Sequence, residues 1–144
     1  MKKTAAEQHR QIVITEFDLE RLQELIEEMQ EQPSRDNRYL DELSEELLRA
    51  EVVAPEEIPP QVITMNSRVR LQDLDSKAEL EYTLVFPPEA NLDQGKISVL
   101  APVGLAMIGY RVGETISWKV PAGLKRLKVK KILYQPEAAG DFHI

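Results

Sequence analysis

The chain has no cysteine, which excludes disulfides and thiolate-ligated metals. Histidine is nearly as scarce. His9 and His143 have no ligand or triad partner at a useful spacing, so no metal or cofactor site is expected around them. No apolar run approaches the roughly 18 to 20 residues that cross a bilayer. The start, Met1-Lys2-Lys3-Thr4-Ala5-Ala6-Glu7-Gln8, is basic but has no apolar segment after it, unlike a signal peptide. A soluble, cytoplasmic chain with no membrane partner is expected. Gly104, Gly109 and Gly113 lack the spacing of a phosphate-binding loop, and no serine stands in a nucleophile-elbow context. No cofactor and no autonomous enzyme site is written here.

What the chain does have is charge, and it is unevenly spread. Residues 1–60 hold 16 acids against 7 bases, a net of −9, and residues 61–144 hold 9 against 11, a net of +2. The acidic half disfavours a phosphate backbone and suits either solvent or a positively charged partner surface.

Hydrophobic periodicity divides the 144 residues into parts. Residues 1–14 are expected to be a mobile leader. Thr15-Glu16-Phe17-Asp18 resembles a capping box, with Asp18 in the first turn. Leu19, Leu22, Ile26 and Met29 follow at heptad spacing, and Leu40, Leu43, Leu47 and Ala50 repeat it after a break at Gln32-Pro33. The spacing predicts an antiparallel helical hairpin (a short coiled coil) over 15–54. Its layers would be Leu19 with Ala50, Leu22 with Leu47, Ile26 with Leu43 and Met29 with Leu40. Four layers are few, so its base should pack on the rest of the protein.

A proline-rich linker, 55–61, ends the hairpin, and from 62 the period changes to two. Strands are expected around Ser67–Leu71, Leu80–Phe86, Lys96–Leu100, Glu114–Val120 and Leu124–Tyr134. The alternation of the last slips at Lys130-Lys131, the mark of a bulge. Pro102 opens one short helix and Gly109 ends it. The fold class is therefore α+β: a helical hairpin followed by a small antiparallel sheet domain, 62–144, with one short helix.

Two clusters carry possible chemistry. Glu28, Glu31, Asp36, Asp41 and Glu42 surround the hairpin turn, where paired acids can hold Mg²⁺, though on so acidic a surface solubilisation is the commoner role. Lys125, Arg126, Lys128, Lys130 and Lys131 lie on the last strand. Only Tyr134 supplies an aromatic there, so a solvated strand face is the simpler reading and no sequence-specific nucleic-acid binding is expected.

The stretch from Ile97-Ser98-Val99-Leu100-Ala101-Pro102-Val103-Gly104 to Gly113-Glu114 resembles the C-terminal domain of the Gre transcript-cleavage factors. The pattern there reads I-S-x-x-S-P-L-G-x-A-L-x-G-x-x-x-G-D, and Val120-Pro121-Ala122-Gly123 also fits. Val62-Ile63-Thr64-Met65-Asn66-Ser67-Arg68-Val69 and Tyr134-Gln135-Pro136-Glu137-Ala138-Ala139-Gly140-Asp141 resemble the subfamily called regulator of nucleoside diphosphate kinase, or Rnk. The likeness runs from about Thr15 to the last residue. It implies an FKBP-like sheet domain docking on the rim of the secondary channel of bacterial RNA polymerase, with the hairpin beside or in that channel. Ala101, Pro102 and Val103 match the family's polymerase-docking loop, while Leu100 stands where some relatives carry an acid. Gre factors deliver a metal-binding acidic pair from the tip of a long hairpin. This hairpin is about half that length, and its tip, Ser34, Arg35, Asp36 and Asn37, lacks the acidic motif. The resemblance thus implies polymerase binding without transcript cleavage, in competition with Gre factors. The alternatives are a Gre-like cleavage factor and a direct regulator of nucleoside diphosphate kinase. FKBP-like architecture does not transfer isomerase activity.

Overall fold

The computed structural model describes residues 11–31, 38–121, 123–142 and 144. The chain enters the fold earlier than its polar start suggests. Ile12, Val13 and Ile14 are buried, and Val13–Thr15 forms strand β1. The expected leader therefore ends short of residue 14, because three consecutive apolar residues gain more from burial than from exposure, about 1.5–3 kcal/mol per large side chain. Thr15 closes β1 and caps helix α1 (Glu16–Gln30), its hydroxyl accepting from the Asp18 N–H at 3.0 Å. Helix α2 (Arg38–Arg49) folds back against α1. Leu22, Leu25 and Ile26 of α1 and Leu40, Leu43 and Leu47 of α2 are buried, while Leu19, Met29 and Ala50 are partly covered. The seam matches the expected spacing and is wider by Leu25. Strand β2 (Glu51–Val53) then pairs with β1 in parallel, Val13 opposite Glu51 and Thr15 opposite Val53.

The linker makes one 3-10 turn, Pro55–Glu57, and buries Ile58 in a small cluster with Val13 and Val62. Five strands follow: β3 (Arg68–Asp73), β4 (Glu79–Val85), β5 (Lys96–Ser98), β6 (Thr115–Val120) and β7 (Gly123–Tyr134). They form one sheet in the order β5-β4-β3-β7-β6. The expectation of an antiparallel sheet holds for four strands and fails for β5, which runs parallel to β4, Thr83 opposite Lys96 and Val85 opposite Ser98. The cause is the connection. Two 3-10 turns, Pro87–Glu89 and Leu92–Gln94, carry the chain back along the edge, and Gly95 at φ +74° reverses it once more.

Alternation sorts the sheet into two faces. Val69, Leu71, Leu84, Leu127, Val129 and Ile116 are buried on the inner one. The pairing of β3 with β7 shifts register twice, passing over Lys130 and Leu133, so the slip at Lys130-Lys131 is a bulge. Helix α3 (Pro102–Met107) matches the short helix expected from Pro102. A second one, α4 (Pro136–Ala139), was not expected; Gln135 caps it and Gly140 at φ +82° ends it. Inner-face residues of the sheet and seam residues of the hairpin belong to a single apolar cluster, so the arm is built onto the sheet and not hung from it.

Candidate functional site

Three features combine chemistry with position. The first is the start of α3. Ser98 accepts the Leu100 N–H on its hydroxyl at 3.0 Å and the Ala101 N–H on its carbonyl at 3.0 Å, closing a tight turn out of β5. Ala101 is extended and Pro102 opens the helix. Gly104, Leu105, Met107 and Ile108 face inward, and a Cβ on Gly104 would sit 1.9 Å from the Ser98 carbonyl oxygen. Pro102 is thereby turned to solvent between half-buried Ala101 and Val103. The three residues expected to act together do sit together at an exposed corner. The expected tip, Ser34, Arg35, Asp36 and Asn37, lies outside the described residues. Of the nearby acids, Glu28, Glu31, Asp41 and Glu42 are exposed. Among the described residues no group of three or more His, Asp or Glu could hold a metal ion.

The second feature is the junction between arm and sheet. Asp18 is fully buried, yet it is a carboxylate. Its Oδ2 accepts the Met65 N–H at 3.0 Å and its Oδ1 accepts from Arg21 at 2.6 Å. Burial raises the Asp18 pKa; the Met65 bond and Arg21 oppose that shift. Arg21 lies over the rings of Phe17 and Phe86, 3.9 and 4.9 Å from their centroids, which joins the arm to the end of β4. Beside it Thr64 donates to Glu137 at 2.8 Å, while the Ser67 hydroxyl accepts the Thr64 N–H at 2.9 Å. Burial raises the Glu137 pKa, and the Thr64 bond lowers it. Gln135 donates to the carbonyls of Pro59 at 2.9 Å and Val62 at 2.7 Å, tying the linker to the end of β7. Sequence reasoning placed Asp18 in the first turn of a helix and missed this role. Its partner Met65 is 47 residues away, and the one local sign was an acid among the first residues of an otherwise seam-forming segment.

The third feature is the outer face of the sheet. At its β5 end an open cleft of about 770 Å³ is lined by Arg21, Asn66, Arg68, Phe86, Lys96 and Tyr134, among others. Tyr134 donates its hydroxyl to Asp141, a bond that pushes the phenol pKa up to about 12. The basic set of β7 divides. Lys125 bonds Asp73 at 2.6 Å and Arg126 bonds Asp75 at 3.1 Å, while Lys128, Lys130 and Lys131 have no ion-pair partner among the described residues. Lys125 holds the Asp73 carboxyl down at about 2, helped by the backbone N–H groups of Ser76 and Asp75.

The chain is similar to known proteins in sequence and in fold. Residues 41–134 match the family model for the C-terminal domain of the transcription elongation factors GreA and GreB, and residues 10–53 match the model for the Rnk N-terminus. The regulator of nucleoside diphosphate kinase of Escherichia coli (strain K12) is 42% identical over 133 residues, covering 91% of this chain and 95% of that one. Transcription elongation factor GreA of Syntrophotalea carbinolica is 42% identical over 93 residues, covering 65% of this chain and 59% of that one. Among solved structures, a GreA/GreB elongation factor from Nitrosomonas europaea superposes with a TM-score of 0.71 at 43% identity, covering 87% of this chain and 99% of that one. The names these relatives carry are those of regulators and elongation factors. No helix among the described residues is long and apolar enough to cross a membrane.

Proposed function

Because the chain belongs to the GreA/GreB family of transcription elongation factors, in its branch of regulators of nucleoside diphosphate kinase, we propose that it regulates transcription by binding bacterial RNA polymerase. In this reading the sheet domain, FKBP-like in the family, docks on the rim of the secondary channel through Ala101, Pro102 and Val103. The arm occupies the channel entrance, excludes Gre factors and does not stimulate transcript cleavage. Any effect on nucleoside diphosphate kinase then runs through gene expression.

The observation that carries the reading is the length of the arm. Helix α1 has 15 residues and α2 has 12. At about 1.5 Å per residue the longer one spans roughly 22 Å. A carboxylate contributes to metal chemistry only when it reaches the ion, about 2 Å for Mg²⁺. An arm that stops short fills space without supplying ligands.

The test is retention on core polymerase. The Pro102→Asp variant suits it, because an acid at the first position of a helix is tolerated by the helix dipole while the apolar contact is lost. The wild type should be retained and should lower RNA cleavage stimulated by a Gre factor, and Pro102→Asp should lose both effects. Retention unchanged by the substitution rejects the docking assignment. RNA shortening in backtracked complexes on adding this protein alone rejects the non-cleaving reading.

A further inference from the structure

We propose that the outer face of the five-stranded sheet, with the cleft at its β5 end, binds a single strand of nucleic acid through its phosphates and without base selection. Arg70 stands directly opposite Lys131, and Lys128 stands opposite Gln72 on one side and Thr115 on the other. Like charges placed opposite each other across strands are destabilising. The bulge concentrates the charge further: alternation from buried Val129 turns Lys130 outward, and pairing with Arg70 turns Lys131 outward as well. Both are exposed.

The acids nearby cancel only part of this excess, although Glu79 stands opposite Gln72 and Glu89 lines the cleft. Glu81 bonds both Arg68 and Arg70 at 2.8 Å, and Asp75 bonds Arg126. Lys128, Lys130 and Lys131 are left without an ion-pair partner among the described residues, on a chain whose net charge is −7. A sheet that holds such a face against the sign of the whole molecule is complementary to a polyanion.

The chemistry of the face distinguishes which polyanion. Protein interfaces are depleted in lysine and rely on buried aromatic or aliphatic anchors. Between Arg126 and Tyr134, β7 exposes no large apolar side chain. Lysines on a rigid, solvated strand suit phosphates, which need charge more than shape. The cleft adds what a bare lysine track lacks. Arg68 and Lys96 continue the positive face into it, and Phe86 and Tyr134 bring ring surfaces to its wall. Its volume falls in the range of roughly 300–1,000 Å³ typical of small-ligand sites. Cations along a groove with rings at one end form the pattern that holds an unpaired strand by backbone and stacking, with little regard to sequence. The acidic arm repels phosphate and confines the strand to the sheet side.

Anisotropy of a labelled 12-nucleotide dT strand, and of the matching U strand, against the full chain tests this. Binding should weaken with salt, the log–log slope contributing about −0.7 for each phosphate contacted. The double variant Lys128→Glu/Lys131→Glu should bind at least tenfold more weakly, with a slope shallower by about 1.4. Lys96→Glu should weaken binding through the cleft. Lys77→Glu, the same charge change on the exposed β3–β4 turn, should leave affinity within twofold. Retention of either sugar supports the proposal. It is overturned by absent binding at 50 mM salt, by a double variant that binds as the wild type does, by equal losses in Lys77→Glu and the face variants, or by tighter binding to polyglutamate or duplex than to the single strand.

Discussion

Removing the Asp18 carboxylate should loosen the arm from the sheet more than removing any one seam residue's outer methyl groups would. Asp18 accepts two bonds, one from a backbone N–H on the sheet side and one from a guanidinium on its own helix. In Asp18→Ala the Met65 N–H loses its acceptor, which costs about 1–3 kcal/mol for a buried donor, and Arg21 is left without its counter-charge. Breaking a buried pair from one side costs about 3–5 kcal/mol in all. Asp18→Asn keeps an acceptor for Met65 and loses the charge-assisted bond, so its cost should be nearer 1.5–3 kcal/mol, the usual worth of about one hydrogen bond to a charged group. Equilibrium urea unfolding of the three proteins measures both costs, and hydrogen exchange at the Met65 amide reports the bond itself. The expected order of stability is wild type, then Asn, then Ala, with faster Met65 exchange in the Ala variant. An Ala variant within about 0.5 kcal/mol of wild type, the usual range for inconsequential surface changes, would refute the claim that this carboxylate fastens the arm.

Two further predictions concern the sheet domain. Gly104→Ala puts a Cβ 1.9 Å from the Ser98 carbonyl oxygen, so α3 must shift; a loss of about 1–3 kcal/mol or more is expected in urea unfolding, and an unchanged midpoint contradicts the close approach. Asp73, whose pKa falls from 3.8 to about 2 on folding, stabilises the fold above the unfolded value and loses that contribution as pH drops from 3.8 through 2. The melting temperature of wild type should therefore fall towards that of Asp73→Asn over this window, and a gap that stays constant would show that the Lys125 bond does not perturb the carboxyl.

How much of this was legible in the sequence depended on whether the signal was local. The hairpin was, because Leu22, Ile26, Leu40, Leu43 and Leu47 repeat at the helical period and are the residues that are buried. The bulge was also legible: an alternating strand cannot carry two adjacent exposed lysines without one extra residue. The parallel direction of β5 was not, since three residues after two 3-10 turns carry no trace of which way they run. β1 was passed over because Ile12-Val13-Ile14 has no alternation, although a short unbroken apolar run is itself the sign of a fully covered strand. In the site, the exposed Pro102 corner could be read from motif and helix chemistry. The junction could not, because the bonds that join the arm and the linker to the sheet domain, Asp18 to Met65, Thr64 to Glu137 and Gln135 to Pro59 and Val62, link residues 47 to 76 positions apart.

That difference bears on how the arm is held. Both motifs that resemble the Rnk subfamily, Val62 to Val69 and Tyr134 to Asp141, converge at the base of the arm. The first supplies the Met65 N–H for Asp18 and the Thr64 hydroxyl for Glu137; the second supplies Glu137 and the Gln135 latch on the linker. An arm held by apolar packing alone can slide at little cost, since hydrophobic contact is non-directional. Directional bonds to buried acceptors set an angle as well as an attachment. On the proposed docking the angle of the arm matters as much as its reach, because it decides which part of the channel entrance the arm covers. The Asp18 variants, tested for displacement of a Gre factor from polymerase as well as for stability, separate attachment from direction on the proposed reading: Asp18→Asn, still folded but with a slackened base, should compete less well than its stability alone accounts for.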